Sequence, residues 1–231
     1  MSKITLDNNQ QEIILSKNNE QVMMEWEKPY MEASIDALQP TGDVLEIGFG
    51  FGYSATQIMK YKPKSYTIIE CDPHIIQNIN QWREKYPQIP IHIIKGKWQD
   101  ALSALGIFDE IYFDDFPLEI TQQSSHMEKM VSLKRINIFL DLCIQNHTKM
   151  GSKISWYING NPTKIECSSD TMPFIKVTST PFSITIPDTC KYRNLKEQQC
   201  TIPLLIKVKE YNFKEAQRNA LNQIQRFMLA S

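Results

Sequence analysis

The sequence has 231 residues, 42% of them hydrophobic and 22% charged, with 8 glycines and a formal net charge of −1. That length buries a core without disulfide staples, and the composition excludes a wholly disordered or collagen-like chain. The near-neutral charge argues against a dedicated nucleic-acid binder, and no apolar run approaches the ~20 residues of a membrane span. Five scattered cysteines (Cys71, Cys143, Cys167, Cys190, Cys200) are odd in number and never spaced CxxC. They point to reduced thiols in a cytoplasmic setting, with no zinc site and no disulfide framework.

Met1 to Glu20 is polar, lacks the apolar stretch of a secretory signal, and reads as a flexible arm rich in Asn, Gln and Lys. From Gln21 to Leu38 the spacing of Met23, Trp26, Tyr30 and Ala33 predicts a helix that Pro29 breaks or kinks. Strand and helix patterns then alternate. Asp43–Ile47 is a short apolar strand ending in glycines, Tyr53–Met59 a helix, and Tyr66–Glu70 a second strand. Asp72-Pro73 is a cap followed by an N1 proline, the start of a helix running to about Tyr86. Ile91–Ile94 is a strand, Asp100–Leu105 a short helix, Glu110–Phe113 a strand, Met127–Asn146 a long helix and Lys153–Ile158 a strand. Strands separated by helices predict an α/β fold with a parallel sheet and helices on both faces. Phe182–Ile186 and Ile202–Val208 are strands with no clear helix between them, which suits an antiparallel pair closing one edge of a seven-stranded sheet. Tyr211–Leu229 is an amphipathic helix with Phe213, Ala216, Ala220, Ile224 and Phe227 near one face. It is expected to pack on the domain or to contact another subunit, in a homodimer, or a partner. The organisation is therefore an arm over 1–20, a domain over 21–209 whose segment 21–40 forms a lid, and a helix over 210–231.

Val44-Leu45-Glu46-Ile47-Gly48-Phe49-Gly50-Phe51-Gly52 carries the most chemistry. A strand runs into closely spaced glycines and a helix follows, so the backbone turns sharply and a ligand approaches without a Cβ in its way. Tyr53 stands where the third glycine of GxGxxG would be, and no Walker lysine follows, which disfavours nicotinamide and P-loop readings. ExGxGxG after the first strand of an α/β fold resembles the first motif of class I S-adenosylmethionine-dependent methyltransferases, a Rossmann-like fold. Glu70, about 20 positions after the glycines, is placed to accept from both ribose hydroxyls; the alternative is a solvated strand end. Gly96-Lys97-Trp98-Gln99-Asp100 falls where those enzymes surround the adenine. Trp98 either packs against the base or sits in the core, and Gln99 or Asp100 accepts from its amino group unless Asp100 is a helix cap. Glu46 is expected to face the methionine end of the cofactor or to order the loop.

A narrower resemblance rests on several segments together. Val22-Met23-Met24-Glu25-Trp26-Glu27-Lys28-Pro29-Tyr30-Met31 resembles the segment preceding the cofactor domain in guanidinoacetate N-methyltransferase and in the fungal arginine δ-N-methyltransferases. The similarity continues through Glu46–Gly50, Ile69–Cys71, Gly96–Asp100 and Tyr112-Phe113-Asp114-Asp115-Phe116-Pro117-Leu118, and returns at Pro187–Tyr192 and Ile202–Leu205. It implies S-adenosyl-L-methionine as cofactor and a guanidinium substrate held against two carboxylates, Glu27 and Asp114, with Trp26 beside them. The chemistry suits such a pair. A guanidinium is planar, charged, and offers parallel N–H donors to a carboxylate. Its nitrogen is a poor nucleophile, so a carboxylate that draws charge onto it and accepts its proton helps the transfer. Adjacent strand residues point to opposite faces, so Asp115 is the alternative to Asp114. The resemblance also implies a histidine at His126, which either orients substrate or bridges to Asp114, or is a surface residue. Asn159 and Gly160 fall where the family offers backbone N–H groups to a substrate carboxylate, although Pro162 removes one donor there. Gln99 replaces an acidic residue of the family.

The resulting expectation is an N-methyltransferase acting on a small guanidino compound such as guanidinoacetate, without metal. The alternative substrate is a protein arginine; those enzymes often carry an N-terminal repeat domain that this sequence does not show. A third alternative is an interaction module that has lost catalysis, which the joint presence of Glu27, Asp114 and the glycines disfavours.

Overall fold

The computed structural model describes residues 2–116, 134–158, 167–168, 170–191 and 199–218. The chain opens with a three-stranded antiparallel sheet, β1 (Lys3–Leu6), β2 (Glu12–Leu15) and β3 (Gln21–Met24), in the order β1-β2-β3. The flexible arm expected over 1–20 is thereby corrected. Its Asn- and Gln-rich stretches are turns, not slack. Asp7 Oδ1 accepts from the Asn9 and Gln11 N–H groups, Ser16 Oγ accepts from those of Asn18 and Glu20, and Gln10 and Asn19 take positive φ. Between the turns, Ile13 and Ile14 are buried.

The helix expected from Gln21 starts later. Gln21–Met24 is β3, Glu25–Glu27 is a 3-10 turn, and α1 runs Lys28–Leu38. Pro29 does not break this helix; it stands in its first turn, where a missing N–H costs nothing.

The main sheet contains β4 (Asp43–Ile47), β5 (Ser65–Glu70), β6 (Ile91–Lys95), β7 (Phe108–Phe113), β8 (Thr148–Trp156), β9 (Ile175–Ser183) and β10 (Gln199–Lys207), in the order β6-β5-β4-β7-β8-β10-β9. The first five pair in parallel and β10 pairs antiparallel with β8 and β9. The expected edge pair is present, but β9 lies earlier than Phe182–Ile186. Ile184 and Ile186 are buried side chains against the N-terminal sheet and α1 and do not extend the ladder. The helices α2 (Tyr53–Lys60), α3 (Pro73–Arg83), α4 (Trp98–Ala101) and α5 (Arg135–Leu142) connect the parallel strands, and α5 continues into a π-helical turn, Cys143–His147. Asp72 caps α3 through the N–H groups of His74 and Ile75. The N-terminal part of the long helix expected from Met127 lies outside the described residues.

Strand alternation divides the core between the two faces. Leu45, Ile47, Ile111 and Phe113 pack with Trp98, Phe139 and Leu140 on one face. Val44, Ile68 and Tyr112 pack with Met31, Ile35 and Ile58 on the other. A third cluster, including Ile13, Met24, Trp26, Tyr30, Ile184 and Ile202, joins the N-terminal sheet and α1 to the antiparallel edge. Residues 213–218 are helical, and Ala216 is buried, but Phe213 is exposed; the remainder of the expected C-terminal helix lies outside the described residues. Among the described residues no helix is long and apolar enough to cross a membrane.

Candidate active site

At the end of β4 the chain turns through three glycines with positive φ, two of which, Gly48 and Gly50, are closely approached by other segments. A Cβ on Gly48 would lie 2.1 Å from the backbone oxygen of Asp114, and one on Gly50 would lie 2.3 Å from Met23 Sδ. The first contact brings the loop against the end of β7. The second brings β3 down onto the loop, where Met23 Sδ also accepts from the Phe51 N–H at 3.2 Å. Gly52 precedes α2. Met23, in the segment expected to act as a lid, thus touches the glycine loop. The segment is strapped at its far side: Gln21 donates to Thr189 O and accepts from Lys191 N, Thr189 donates to Asp7, and Asn9 donates to Asp188.

Glu70 ends β5 beside the loop. Its Oε2 accepts from Phe49 N at 3.1 Å, and its Oε1 from Cys71 N at 2.7 Å and Asp72 N at 2.9 Å. Burial raises its carboxyl above the ordinary range, against the pull of those three donors. A carboxylate offers about four lone-pair sites, so acceptor capacity remains toward the pocket. Replacing Glu70 by Ala leaves three loop N–H groups without their acceptor, at about 1–3 kcal/mol each where they stay dry. The expected result is a lowered thermal midpoint together with weakened S-adenosylmethionine binding in calorimetry. An unchanged midpoint would refute the bracing role.

The adenine segment divides. Trp98 is 4% exposed, edge-on to Phe113 and Phe139, and donates from Nε1 to Asp115 Oδ2 at 2.9 Å. Of its two sequence readings, the structure has the core one. Gln99 and Asp100 are exposed on α4, and the helix is preceded by Lys97, so Asp100 is not its cap.

The alternation at the end of β7 separates the two aspartates. Asp115 shares a face with Phe113 and is held by Trp98 and by Arg135 Nε at 2.7 Å. Asp114 shares the face of Tyr112, and its N–H donates to Ile47 O at 2.9 Å, extending the pairing of β7 with β4. Its carboxyl is raised well above the ordinary value, first by burial and then by the negative charge of Glu27 and of Asp115, with Arg135 opposing. Glu27 is buried and its Oε2 accepts from Met24 N at 2.9 Å, which fixes the turn before α1. Trp26 is a core residue of the third cluster. The charge of Glu27 therefore reaches Asp114, so the two carboxylates expected to meet the substrate act on each other. His126, Asn159 and Gly160 lie outside the described residues.

Glu46 is fully buried on the same face as Asp114. Ser54 lies near it, yet neither Glu46 oxygen nor the Ser54 hydroxyl has a hydrogen bond of normal geometry. Tyr112 OH is likewise buried and unmatched. Sequence reading missed Ser54 and Tyr112, both placed by helix and strand phase, and missed Arg135 and Gln21, for which spacing carried no signal.

Chains of known relationship fit this geometry. A family model for guanidinoacetate N-methyltransferase matches residues 3–151. The protein arginine N-methyltransferase 2 of Candida glabrata is 36% identical over 140 residues, covering 55% of this chain and 32% of that protein. The protein of the same name from Saccharomyces cerevisiae is 33% identical over 127 residues, covering 49% and 30%. This chain thus spans about a third of the length of these relatives. Among solved structures, spermidine synthase from Thermotoga maritima has a TM-score of 0.54 at 14% identity, covering 93% of this chain and 74% of that one. The O-methyltransferase from Bacillus cereus in complex with SAH has a TM-score of 0.51 at 10% identity, covering 80% and 82%. At these identities the two structures establish the Rossmann-like methyltransferase fold.

Proposed function

The chain belongs to the guanidinoacetate N-methyltransferase family, of class I S-adenosylmethionine-dependent methyltransferases, and on that premise we propose that it methylates a guanidino nitrogen. The observation that carries the reading is the mutual placement of Asp114 and Glu27 on the side of the sheet that holds the glycine loop. The residues present support the cofactor: the glycine loop follows β4, Glu70 ends β5 beside that loop with acceptor capacity to spare, and Glu46, two residues before the loop, is a buried carboxylate without a hydrogen bond of normal geometry. When bound, S-adenosylmethionine supplies a methyl group on a positively charged sulfur.

The protein side of the reaction follows from the carboxylates. Asp114 and Glu27 hold the guanidinium plane through charge-assisted hydrogen bonds and fix one nitrogen toward the methyl group. Asp114 draws positive charge away from that nitrogen and takes its proton during transfer. The N-terminal sheet excludes water from the site.

For the substrate, the names of the curated relatives favour an arginine side chain in a peptide or protein. The acidic surroundings of Tyr53 support this. Burial lifts its hydroxyl well above the ordinary value, and Glu25, Glu12 and Glu27 add to the shift, while the Lys28 ammonium lies 5.6 Å from its ring. Three carboxylates against the one ammonium leave an acidic balance there, which welcomes basic chains and opposes a substrate carboxylate. The second reading, guanidinoacetate or a relative, has the family model behind it. The test is a panel assay with labelled S-adenosylmethionine against guanidinoacetate, free arginine, arginine peptides and a protein extract. Label in the peptides and extract supports the first reading and label in guanidinoacetate the second. Label in none of them refutes guanidino methylation.

A further inference from the structure

Glu46 is the residue of the main sheet hardest to justify by folding alone. It sits inside β4, paired in register with Ile68 on one side and Tyr112 on the other, and is fully buried. Neither carboxylate oxygen has a hydrogen bond of normal geometry, and the hydroxyls of Ser54, which lies near, and of Tyr112, the register partner of Glu46 on β7, are buried and lack one as well. Unpaired burial of an ionised carboxylate costs several kcal/mol. Among the described residues, the groups around it offer no cation to offset this. They are Ser54 from α2, Tyr112 and Asp114 from β7, and Glu70 from the end of β5, with Glu27 and Tyr30 of the α1 segment completing the cluster through Asp114 and Tyr112. The cation nearest to this cluster in effect, Arg135, is paired with Asp115 on the opposite face.

We propose that Glu46 stores a proton in the ligand-free site and releases it when the cationic end of the cofactor enters, making cofactor affinity pH-dependent. This rests on the S-adenosylmethionine reading above. In the ligand-free chain the Glu46 O–H is a donor beside the Ser54 hydroxyl, which removes the charge from the apolar layer. On binding, the O–H bond breaks, the proton goes to solvent, and the carboxylate pairs with the positive charge of the ligand. Burial raises the Glu46 carboxyl well above its ordinary value against the pull of the Ser54 hydroxyl, and the charges of Asp114 and Glu70 add to the rise. A bound cation acts in the opposite direction. Between the two values the proton must be expelled for binding to occur, so affinity rises with pH, by up to ~10-fold per pH unit, until the ligand-free carboxyl is itself ionised.

The experiment is titration calorimetry of the full chain with S-adenosylmethionine and, separately, with its demethylated product, in phosphate and in Tris at pH 6.5. At that pH an ordinary α-amino group, with a pKa of about 7.7–8.0, is already protonated and contributes little. The wild type is expected to release protons on binding, read as a dependence of the binding heat on the buffer. Glu46→Gln, similar in shape and permanently neutral, is expected to release almost none and to bind more weakly. Asp114→Asn is expected to keep the release. Comparing the two ligands shows whether the ammonium alone drives the release or the sulfonium is required. Equal release from wild type and Glu46→Gln, or release lost in Asp114→Asn and kept in Glu46→Gln, overturns the inference. Should Glu46→Gln fail to fold, wild-type binding heats that do not depend on the buffer overturn it equally. A wild-type chain that binds neither ligand overturns the methyltransferase reading first, and this inference with it.

Discussion

Asp114→Asn is expected to lower turnover on a guanidino substrate by about 10²–10⁴-fold, the usual worth of a positioned proton acceptor. The variant keeps the size of the side chain and the backbone hydrogen bond from Asp114 N to Ile47 O, so the end of β7 stays in place. What is lost is the negative charge against the guanidinium, a charge-assisted hydrogen bond of roughly 1.5–3 kcal/mol, and the acceptor itself. The pH profile separates this from a folding defect. The ligand-free Asp114 carboxyl is raised by burial and by Glu27. The wild-type kcat/KM therefore rises with pH through that elevated value, because only the ionised form holds the substrate. In Asp114→Asn the residual rate lacks this limb.

Asp115→Asn moves a different observable. Its carboxylate holds Trp98 and Arg135 in the opposite layer. Losing the charged hydrogen bond to Arg135 costs roughly 1.5–3 kcal/mol, and a chain of this size loses about 2–4 °C in thermal midpoint per kcal/mol. Turnover in the surviving folded fraction stays near wild type. A collapse of turnover in Asp115→Asn with an unchanged melting profile, beside an active Asp114→Asn, would reverse the assignment of the two residues.

That contrast was readable before the structure, because strand alternation puts neighbours on opposite faces; the identity of the inward one came from the family motif and not from spacing. The parallel sheet was readable for a related reason. Asp43–Ile47 and Tyr66–Glu70 are short apolar runs bounded by Gly, Pro and Asp, and Asp72-Pro73 announces a helix. The N-terminal sheet was not, since Asn and Gln in tight turns have the same composition as Asn and Gln in a loose arm; only the pairing partners, β2 with β1 and β3, tell them apart. Ile184 and Ile186 misled for another reason. They alternate like strand residues, but the alternation serves burial against the N-terminal sheet, while β10 takes its hydrogen bonds from β9 upstream of them. Ser54 and Tyr112 carry no sequence signal, because a polar residue on a buried face is visible only once the covering helix is known.

Gly48→Ala is expected to remove cofactor binding and turnover together, by 100-fold or more in kcat/KM, because a displacement near 1 Å at a reacting centre already costs on the order of 10²-fold. Two penalties add. At φ +82 the new side chain pays for a left-handed backbone, roughly 1–2 kcal/mol. Its Cβ would also stand 2.1 Å from the Asp114 backbone oxygen, a distance that the chain can relieve only by moving the loop or the end of β7. The neighbouring hydrogen bonds resist both movements, since Gly48 N is tied to Ile69 O and Asp114 N to Ile47 O. The loop and the carboxylate are thus fixed relative to each other by direct backbone contact, and a change made at one is transmitted to the other. Gly106→Ala is the control: nothing lies within 4 Å of a Cβ there, and its stability is expected to stay within about 0.5 kcal/mol of wild type. Calorimetric binding of S-adenosylmethionine, thermal melting and turnover on the preferred guanidino substrate should be measured for both. If Gly48→Ala keeps cofactor affinity and loses only turnover, the displacement falls on Asp114 alone and the loop holds its shape without glycine. If it keeps both, the close approach of loop to β7 is not what sets the distance between methyl group and guanidinium.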